Sequence, residues 1–341
     1  MGMVPVTRNI YGLLDKNEGT FGTDASPVAA TDAFWLMYSG SAPGAPMTEK
    51  LGFDGKIGKN YAGLQGLKNA APSMRSFSLP ATIYPRGYGA AYSVTHLPPN
   101  GFHAAMLSAG YLATVVTTGG SESVSYAPQG DGTPVSSTLY MNAGRVIATG
   151  NYKLYKGLGG LANFKLSTSN AAPPLATFDY VGIYSGNPTE VAYTSPTITD
   201  SPTVPNSSAL TFSYGGTSLS AVSFDFDSGR DLSTERAPLT AAGAHLGYVP
   251  GAWTPILKVQ VEEEAISTID PWALRQAAST GALILGINQA TQYNRYKITG
   301  AQVQLVNVTP NVKGAMGMWD LEFAFKPSTP TGNDSLAVVF D

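Results

Sequence analysis

Apolar and polar residues alternate with a period of two along three stretches of the chain, which is typical of β-strands that bury one face. The apolar faces are formed by Val222, Phe224 and Phe226; by Leu257, Val259 and Val261; and by Trp319, Leu321, Phe323 and Phe325. The opposite faces are formed by Ser223, Asp225 and Asp227; by Lys258, Gln260 and Glu262; and by Asp320, Glu322 and Ala324. We expect the apolar faces to form the core and the polar faces to contact water or a partner.

Two short helices are predicted, and each follows a predicted strand. The first of these strands lies at about residues 90–96 and the second at about residues 257–264. Asp270 is a good N-cap and Pro271 suits the first helical position, so a helix is predicted to run to Ala278. Earlier in the chain, Asn100 is predicted to cap a helix over residues 101–109 that Gly110 ends. That helix has the apolar face that packing on a sheet requires, formed by Phe102, Ala105, Met106 and Ala109.

The second half of the chain repeats features of the first half. Tyr152 and Tyr296 are separated by 144 positions. The same separation relates four further pairs: Lys153 and Lys297, Leu154 and Ile298, Leu161 and Leu305, and Asn163 and Asn307. At a separation of 145 positions, one more than for the other pairs, the apolar stripe Ala176, Phe178 and Tyr180 matches Leu321, Phe323 and Phe325. A period of this length indicates duplicated domains, because solenoid repeats are only about 20–50 residues long.

The repeat predicts two tandem domains that are mostly β, each with one short helix and one long loop. The expected boundaries are residues 1–191 for the first domain, 192–209 for a linker rich in Thr, Ser and Pro, and 210–341 for the second domain. The long loops are predicted at residues 39–87 and 228–254. Both exceed the roughly 12–15 residues usual in compact domains, so we expect them to contact a neighbouring subunit.

Composition agrees with a β-rich chain. Only 13% of residues are Asp, Glu, Lys or Arg, whereas about 25% is usual, and the 38 Gly and 24 Pro residues indicate short strands joined by turns. A net charge of −3 argues against general nucleic-acid binding, which needs a basic surface. The sequence shows neither a run of about 18 apolar residues nor the apolar core of a signal peptide. We therefore expect a soluble protein that is not exported by the usual route.

Motifs for catalysis, metal binding and cofactor binding are missing from the sequence. The chain has no cysteine, and its three histidines lack the spacing of metal ligands; they are His96, His103 and His245. Residues 52–60 contain Gly and Lys but fail the P-loop pattern, and there is no GxSxG elbow. The glycine-rich residues 157–160 indicate a turn or bulge. We expect no catalytic residue, no cofactor and no metal.

The segment Glu18-Gly19-Thr20-Phe21-Gly22-Thr23, followed by Ala25-Ser26-Pro27, resembles the N-terminal signature of the major tail tube proteins of tailed bacteriophages. The order of predicted elements is also similar to that family: strand, long loop, strand, short helix and closing strands, given twice. Residues 222–227, 270–278, 301–326 and 335–340 look like the second tube domain of the family. The long loop at residues 39–87 departs from the family pattern.

This resemblance implies a structural virion protein of the phage tail, assembled in the host cytoplasm, with two tail-tube-type β-sandwich or barrel domains. Copies would form rings, and rings would stack into a tube that delivers genomic DNA to the host without binding it specifically. With two domains per chain, three chains would give a ring of pseudo-sixfold symmetry. Other implied partners are a tape measure protein inside the tube and tail terminator and distal tail or baseplate proteins at its ends; no membrane is implied.

Two sets of candidate residues follow from this interpretation. The polar strand faces are candidates to line the channel, through Asp225, Asp227, Gln260, Glu262 and Glu264. A wall of like charge lets a polyanion pass without adsorbing, although the acidic run 262–264 also fits a solvated strand end. The long loops are candidates for contacts between rings, through Asp54, Lys56, Lys59, Arg230, Asp231, Glu235 and Arg236.

Three other interpretations stay open at the level of the sequence. A glycan-binding β-sandwich would use exposed aromatic residues such as Tyr248 and Trp253 for stacking on sugars. A two-carboxylate enzyme is only weakly indicated, because 23 acidic residues supply pairs on any fold. A tail terminator, baseplate ring or capsid-decorating protein would have a similar fold, but the duplication favours a tube.

Overall fold

The computed structural model describes residues 10–34, 47–52, 71–130, 135–145, 151–169, 172–185, 188–192, 194, 197–198, 202–205, 210–235, 247–287, 292–329, 332 and 334–341. These residues contain the helices α1 (Phe102–Ser108) and α2 (Pro271–Gln276). Strands of the first half are β1 (Ile10–Asn17), β2 (Ala33–Phe34), β3 (Met47–Gly52), β4 (Ala71–Ile83), β5 (Tyr111–Val116), β6 (Ser123–Pro128), β7 (Ser137–Arg145), β8 (Tyr152–Ser169), β9 (Leu175–Tyr184) and β10 (Thr189–Val191). Strands of the second half are β11 (Thr211–Tyr214), β12 (Thr217–Leu219), β13 (Ala221–Asp227), β14 (Thr234–Glu235), β15 (Tyr248–Val249), β16 (Ile256–Glu262), β17 (Thr280–Ile287), β18 (Tyr296–Lys313), β19 (Met316–Lys326) and β20 (Ala337–Phe340). The fold is mostly β, which confirms the predicted fold class.

The same order of antiparallel strand pairing occurs in both halves. In the first half the order is β2-β1-β7-β8-β9-β4, and β10 pairs with the start of β8. In the second half the order is β12-β11-β17-β18-β19-β16, and β20 pairs with the start of β18. The central strands β8 and β18 are each 18 residues long and begin at the repeated residues Tyr152 and Tyr296.

The pairing registers correct part of the repeat that the sequence suggested. Asn163 on β8 faces Asp179, and its counterpart Asn307 on β18 faces Glu322. The β9 stripe formed by Ala176, Phe178 and Tyr180 therefore corresponds to Trp319, Leu321 and Phe323. The predicted match to Leu321, Phe323 and Phe325 was wrong by two residues, because the hairpin between these facing residues is one residue shorter in the second half and not one residue longer. The bulge in β8 includes the glycine-rich segment at 157–160, as predicted.

One hydrophobic core runs through both halves. The apolar faces predicted for β13, β16 and β19 are buried, with the exception of Val222. Val222 is half-buried because it lies at an irregularity where β13 shifts register against β16. Phe102 of α1 links the halves, since its ring centroid lies 5.6 Å from that of Phe178 and 5.2 Å from that of Phe340. The two halves are therefore packed against each other through their cores.

The two helices differ in how they begin. Asp270 caps α2 as predicted, because its carboxylate accepts a hydrogen bond from the backbone N–H of Ala273 at 3.0 Å. The predicted Asn100 cap of α1 was wrong, since Gly101 occupies the N-cap position with φ 78° and no side chain caps this helix. A side chain at position 101 would collide with Phe34, and the positive φ also favours glycine. The predicted apolar face of α1 is buried, at Phe102, Ala105, Met106 and Ala109.

Both segments predicted to be long loops contain strands, so these predictions were wrong. β3 and β4 lie within residues 39–87, and β14 and β15 lie within residues 228–254. The strand predicted at residues 90–96 is not formed either, because this segment adopts bends and irregular backbone before α1. Pro72 and Pro80 explain why β4 was missed, since proline within a run argues against a strand except at a sheet edge.

A hairpin in the first half ties the halves together. β5 and β6 follow α1 and pair with each other, and β6 also pairs with β20. β20 therefore lies between β6 of the first half and β18 of the second half. No described strand of the second half takes the place that this hairpin has after α1.

Candidate functional surface

The two halves are joined edge to edge along β8 and β13. Where its pairing with β7 ends, β8 pairs instead with β13, from Lys165 opposite Asp227 to Ser169 opposite Ser223. β13 pairs on its other side with β16. One sheet therefore continues through both halves in the order β4-β9-β8-β13-β16-β19-β18, and we call it the shared sheet. The contact between β8 and β13 is called the internal joint.

One side chain on β8 fastens the chain where it leaves β13. Asn163 Oδ1 accepts hydrogen bonds from Ser228 Oγ at 2.6 Å and from the backbone N–H of Arg230 at 3.0 Å. Asn163 Nδ2 donates to Asp227 Oδ1 at 2.8 Å. Ser228 is fully buried, and its Oγ also accepts from the backbone N–H of Phe164 at 3.2 Å. Asn163 is therefore a central residue of the internal joint.

Arg230 lies inside the molecule, beside the internal joint. Its Nη1 donates to the carbonyl oxygens of Ser108 at 2.6 Å and Ala162 at 3.3 Å, and its Cζ lies 5.6 Å from the ring centroid of Trp253. Burial lowers the pKa of Arg230 to about 10, so the guanidinium stays charged at neutral pH. The prediction that Arg230 contacts a neighbouring ring was wrong, because the residue is only 5% exposed and is used within the chain.

The polar face of the shared sheet carries a groove of about 560 Å³. Strand pairing arranges polar residues there in two rows across β8, β13, β16, β19 and β18. One row is Ser167, Asp225, Lys258, Glu322 and Asn307, and the next is Ser169, Ser223, Gln260, Asp320 and Thr309. The alternate residues of each strand face the core, so the sheet separates a dry face from a wet one.

Carboxylates outnumber cations in the groove. Its described lining has one lysine, Lys258, and three carboxylates: Asp225, Asp320 and Glu322. Asp320 is held in place, because its Oδ1 accepts from Gln260 Nε2 at 2.9 Å and its Oδ2 accepts from Asn311 Nδ2 at 2.7 Å. The surface is therefore polar, acidic and partly fixed by hydrogen bonds between neighbouring strands.

The five residues predicted to line a channel have different positions on this sheet. Asp225 and Gln260 line the groove. Asp227 lies on the same strand face as Asp225, but it is bound to Asn163 in the internal joint. Glu262 is the last residue of β16 and Glu264 lies beyond the strand, so neither is part of the groove lining.

Other groove residues were not selected from the sequence. The alternation in β19 placed Asp320 and Glu322 on a polar face, but only the pairing of β16 with β19 brings them beside Lys258 and Gln260. Ser167 and Ser169 of β8 gave no signal, because short polar residues at alternate positions fit any exposed strand.

Most residues predicted to contact a neighbouring ring are not described structurally. Asp54, Lys56, Lys59 and Arg236 lie outside the described residues, as does the side chain of Glu235 in β14. Asp231 is exposed, and its Oδ1 accepts a hydrogen bond from the backbone N–H of Ser233 at 2.9 Å. That bond is local and does not indicate a partner.

Residues 18–27, which follow β1, form a turn that hydrogen bonds to Glu18 hold in place. Glu18 Oε2 accepts from the backbone N–H of Gly22 at 2.7 Å and from Ser136 Oγ at 2.6 Å. Its Oε1 accepts from Thr138 Oγ1 at 2.9 Å and from the backbone N–H of Gly159 at 2.9 Å. The segment after β1 is thereby attached to β7 and to the bulge in β8.

The two described histidines take part in packing and local hydrogen bonds. His96 stacks on Tyr88 with ring centroids 4.5 Å apart, and His103 Nδ1 lies 2.8 Å from Tyr126 Oη. Burial lowers the pKa of His103. His245 lies outside the described residues. Among the residues that are described, no group of three His, Cys, Asp or Glu could hold a metal ion, and no helix is long and apolar enough to span a membrane.

No protein-family model matches the chain, and a search of curated proteins found no match. The repeated strand pairing and the acidic face of the shared sheet are therefore the features from which a function can be inferred.

Proposed function

We propose that this protein is the structural subunit of a bacteriophage tail tube, the channel through which genomic DNA reaches the host. The observation that carries the proposal is the repeated strand pairing, with its two copies joined edge to edge in one sheet. A chain that contains two copies of a unit and one joint between them can build a ring by forming the same joint between chains. The halves would be two tail-tube-type domains, residues 1–191 and 210–341, with 192–209 as the linker.

Three chains would then form a ring with six similar units. Ring closure would explain why parts of β4 and β18, the end strands of the shared sheet, have no second neighbour among the described strands, since closing a sheet removes its exposed edges. Rings would stack head to tail, and because this contact does not close on itself it produces a tube.

The acidic groove supports a role as the channel wall. Asp225, Asp320 and Glu322 repel the phosphates of DNA, and Lys258 is the one cation in the described lining. A polyanion passes such a wall without adsorbing, which is the property that rapid DNA delivery requires. The role is structural and not catalytic, and it needs no cofactor or metal.

This function defines the partners. The main partner is a second copy of the chain, within a ring and between rings. A tape measure protein would occupy the channel during assembly, and tail terminator and distal tail or baseplate proteins would bind the two ends of the tube. Genomic DNA would pass without specific binding, and the assembled protein would belong to the virion tail.

Cryo-electron microscopy of the concentrated protein, with rotational symmetry left free, tests the proposal. We expect stacked rings of three chains, with six similar β-units around a pore lined by Asp225 and Glu322. Rings of six chains would keep the tube and reject the pseudo-sixfold arrangement. A monomer that forms neither rings nor filaments at any concentration would overturn the proposal.

The alternative of a glycan-binding module has less support. Trp253, a candidate for stacking on sugars, instead packs against Arg230 and against Tyr111, whose ring centroid is 5.2 Å away. The described groove lining contains one aromatic residue, Phe224, which is 3% exposed. A glycan array would test this alternative directly, and binding by a dispersed monomer would favour it.

A further inference from the structure

The long strands β8 and β18 are counterparts, but among the described strands only β8 has partners on this side in both its first and its last part. Residues 152–160 of β8 pair with β7, and residues 165–169 pair on the same side with β13 in the internal joint. Residues 296–304 of β18 pair with β17 in the same way. Beyond residue 304, no described strand pairs with β18 on that side, although β19 pairs with it on the other side as far as Lys313. The open segment, Asn307–Lys313, is called the β18 edge.

Asn307 has no partner of the kind that its counterpart has. Asn163 binds the chain that leaves β13 through its Oδ1 and Nδ2, with Ser228, Arg230 and Asp227 as partners. Asn307 stands at the same place on β18, 144 positions later, and it is exposed. No hydrogen bond joins its side chain to any other residue that the structure describes. The amide is therefore available for an incoming strand.

Burial also differs between the two counterparts. Leu166 and Thr168 on β8 are 1% and 7% exposed, because the second half covers them. Their counterparts on β18 are Pro310, which is exposed, and Val312, which is 70% exposed. Met316, at the start of β19, is 49% exposed beside them. The β18 edge thus carries apolar side chains on the strand face that is buried in β8, where a partner is present.

We infer that the β18 edge binds the first half of a second copy of this chain, in the arrangement that the internal joint has within one chain. The repeat in the strand pairing indicates which partner binds here. Within one chain, the internal joint connects the first half to the second half. If the second half makes the same contact in turn, its partner must be the first half of another copy. This inference specifies the contact within the ring and in that respect rests on the proposed function.

The first half presents a matching open edge at β4. In the second half, β16 pairs with β19 on one side and with β13 on the other. Its counterpart β4 pairs with β9 from Ser76 to Ile83, with Leu79, Ala81 and Ile83 in the places of Leu257, Val259 and Val261. On the other side β3 covers β4 only as far as Phe77, so residues 78–83 have no second neighbour among the described strands. Among the described strands, each chain therefore has two edges without a second neighbour, and in the arrangement of the internal joint these edges of two copies would lie two strand spacings apart.

Pro310 makes the β18 edge selective. It replaces Leu166 and removes one backbone donor, which weakens pairing with an arbitrary strand. A partner that also occupies Asn307 and covers Val312 compensates for that loss. Within the chain the second half does this for Asn163 and Thr168, and we expect the first half of another copy to do the same at the β18 edge.

Cross-linking between copies tests the proposed contact at the β18 edge. The chain has no cysteine, so only the introduced cysteines can react. In the internal joint, Lys165 and Ile256 lie on either side of Asp227, two strand spacings or about 10 Å apart. The corresponding positions are Thr309 on β18 and Ser78 on β4, both exposed. A mixture of Thr309→Cys and Ser78→Cys chains should give a covalent dimer with a bis-maleimide of about 10 Å reach. A mixture of Thr309→Cys with Ser121→Cys, an exposed position in the β5–β6 turn, should not.

Substitution of Asn307 supplies a second readout. Asn307→Ala should leave the monomer folded and raise the concentration needed for assembly by about tenfold or more, since an incoming strand loses the hydrogen bonds that Asn163 makes in the internal joint. The matched control is Gln302→Ala, because Gln302 is an exposed amide on β18 in the part already covered by β17. Sedimentation velocity over a concentration series measures both variants.

The outcomes separate this inference from the proposed function. Suppose that rings form, that Thr309→Cys and Ser78→Cys chains do not cross-link, and that Asn307→Ala assembles normally. The proposed tube function is then kept, and the contact at the β18 edge is rejected. If the specific cross-link forms in open dimers or chains that never close into rings, the β18 contact stands and the tube is rejected.

Discussion

The internal joint makes Asn163→Ala a sharp test of how the halves are held together. The substitution removes the acceptor for Ser228 Oγ and for the backbone N–H of Arg230, together with the donor to Asp227. Ser228 is fully buried and Arg230 is 5% exposed, so water cannot readily replace the lost partner. A buried polar group left without a partner costs about 1–3 kcal/mol. With two such donors affected, we expect the free energy of unfolding to fall by about 2–6 kcal/mol.

Urea unfolding, followed by tryptophan fluorescence, measures this loss, and Trp253 reports from beside the joint because it packs against Arg230. Asn307→Ala is the matched control, since it deletes the same side chain at the equivalent place on β18. Asn307 is exposed, so its loss should change the stability of the monomer by less than about 0.5 kcal/mol. Both measurements need protein concentrations below the onset of assembly, because self-association adds apparent stability. Equal losses in the two variants, or a loss below about 1 kcal/mol for Asn163→Ala, would refute the reasoning.

Three further predictions follow from other parts of the structure. Burial raises the pKa of Asp15 to about 6, so the native protein gains stability as the pH falls from about 6 to about 4. Asp15→Asn should remove about 3 kcal/mol of this pH dependence. Urea midpoints of the variant and the parent protein that differ by a constant amount across that range would contradict the prediction. Gly229→Ala places a Cβ 2.1 Å from a backbone oxygen at φ +60°, whereas Gly216→Ala at φ +84° meets no atom within 4 Å. Gly229→Ala should therefore lower the melting temperature at least twice as much as Gly216→Ala, and equal shifts would count against a clash. On the proposed function, tails that carry both Asp225→Lys and Glu322→Lys should still assemble but eject DNA more slowly, and unchanged ejection kinetics would show that this face does not line the channel.

The sequence predicted those parts of the fold that depend on local pattern. Alternation identified the buried and wet faces of β13, β16 and β19, and Asp270 with Pro271 identified the start of α2. It failed where tertiary contacts decide the outcome: Gly101 starts α1 because Phe34 leaves no room for a side chain, and β4 forms a strand despite Pro80 because β9 supplies a partner. These contacts join residues that are distant in the chain, and the pattern within a short window does not contain them.

The candidate surface was only partly accessible from the sequence for the same reason. Asp225 and Gln260 were selected because they alternate with core residues. The groove, however, exists because β8 continues past β7 and pairs with β13. Two serines, Ser167 and Ser169, do not indicate that β13 pairs with this part of β8. Arg230 was assigned to a contact between rings because it lies in the predicted long loop at residues 228–254, but the carbonyl oxygens of Ser108 and Ala162 give it a buried site.

The position of β20 has a consequence for how the chain folds during synthesis. Phe340 packs on Phe102 and Tyr126 of the first half, and β20 completes the sheet between β6 and β18. The core of the first half therefore stays incomplete until β20, which lies far later in the sequence, has been synthesised. Folding then depends on contacts of very long sequence separation, and we expect it to be slow.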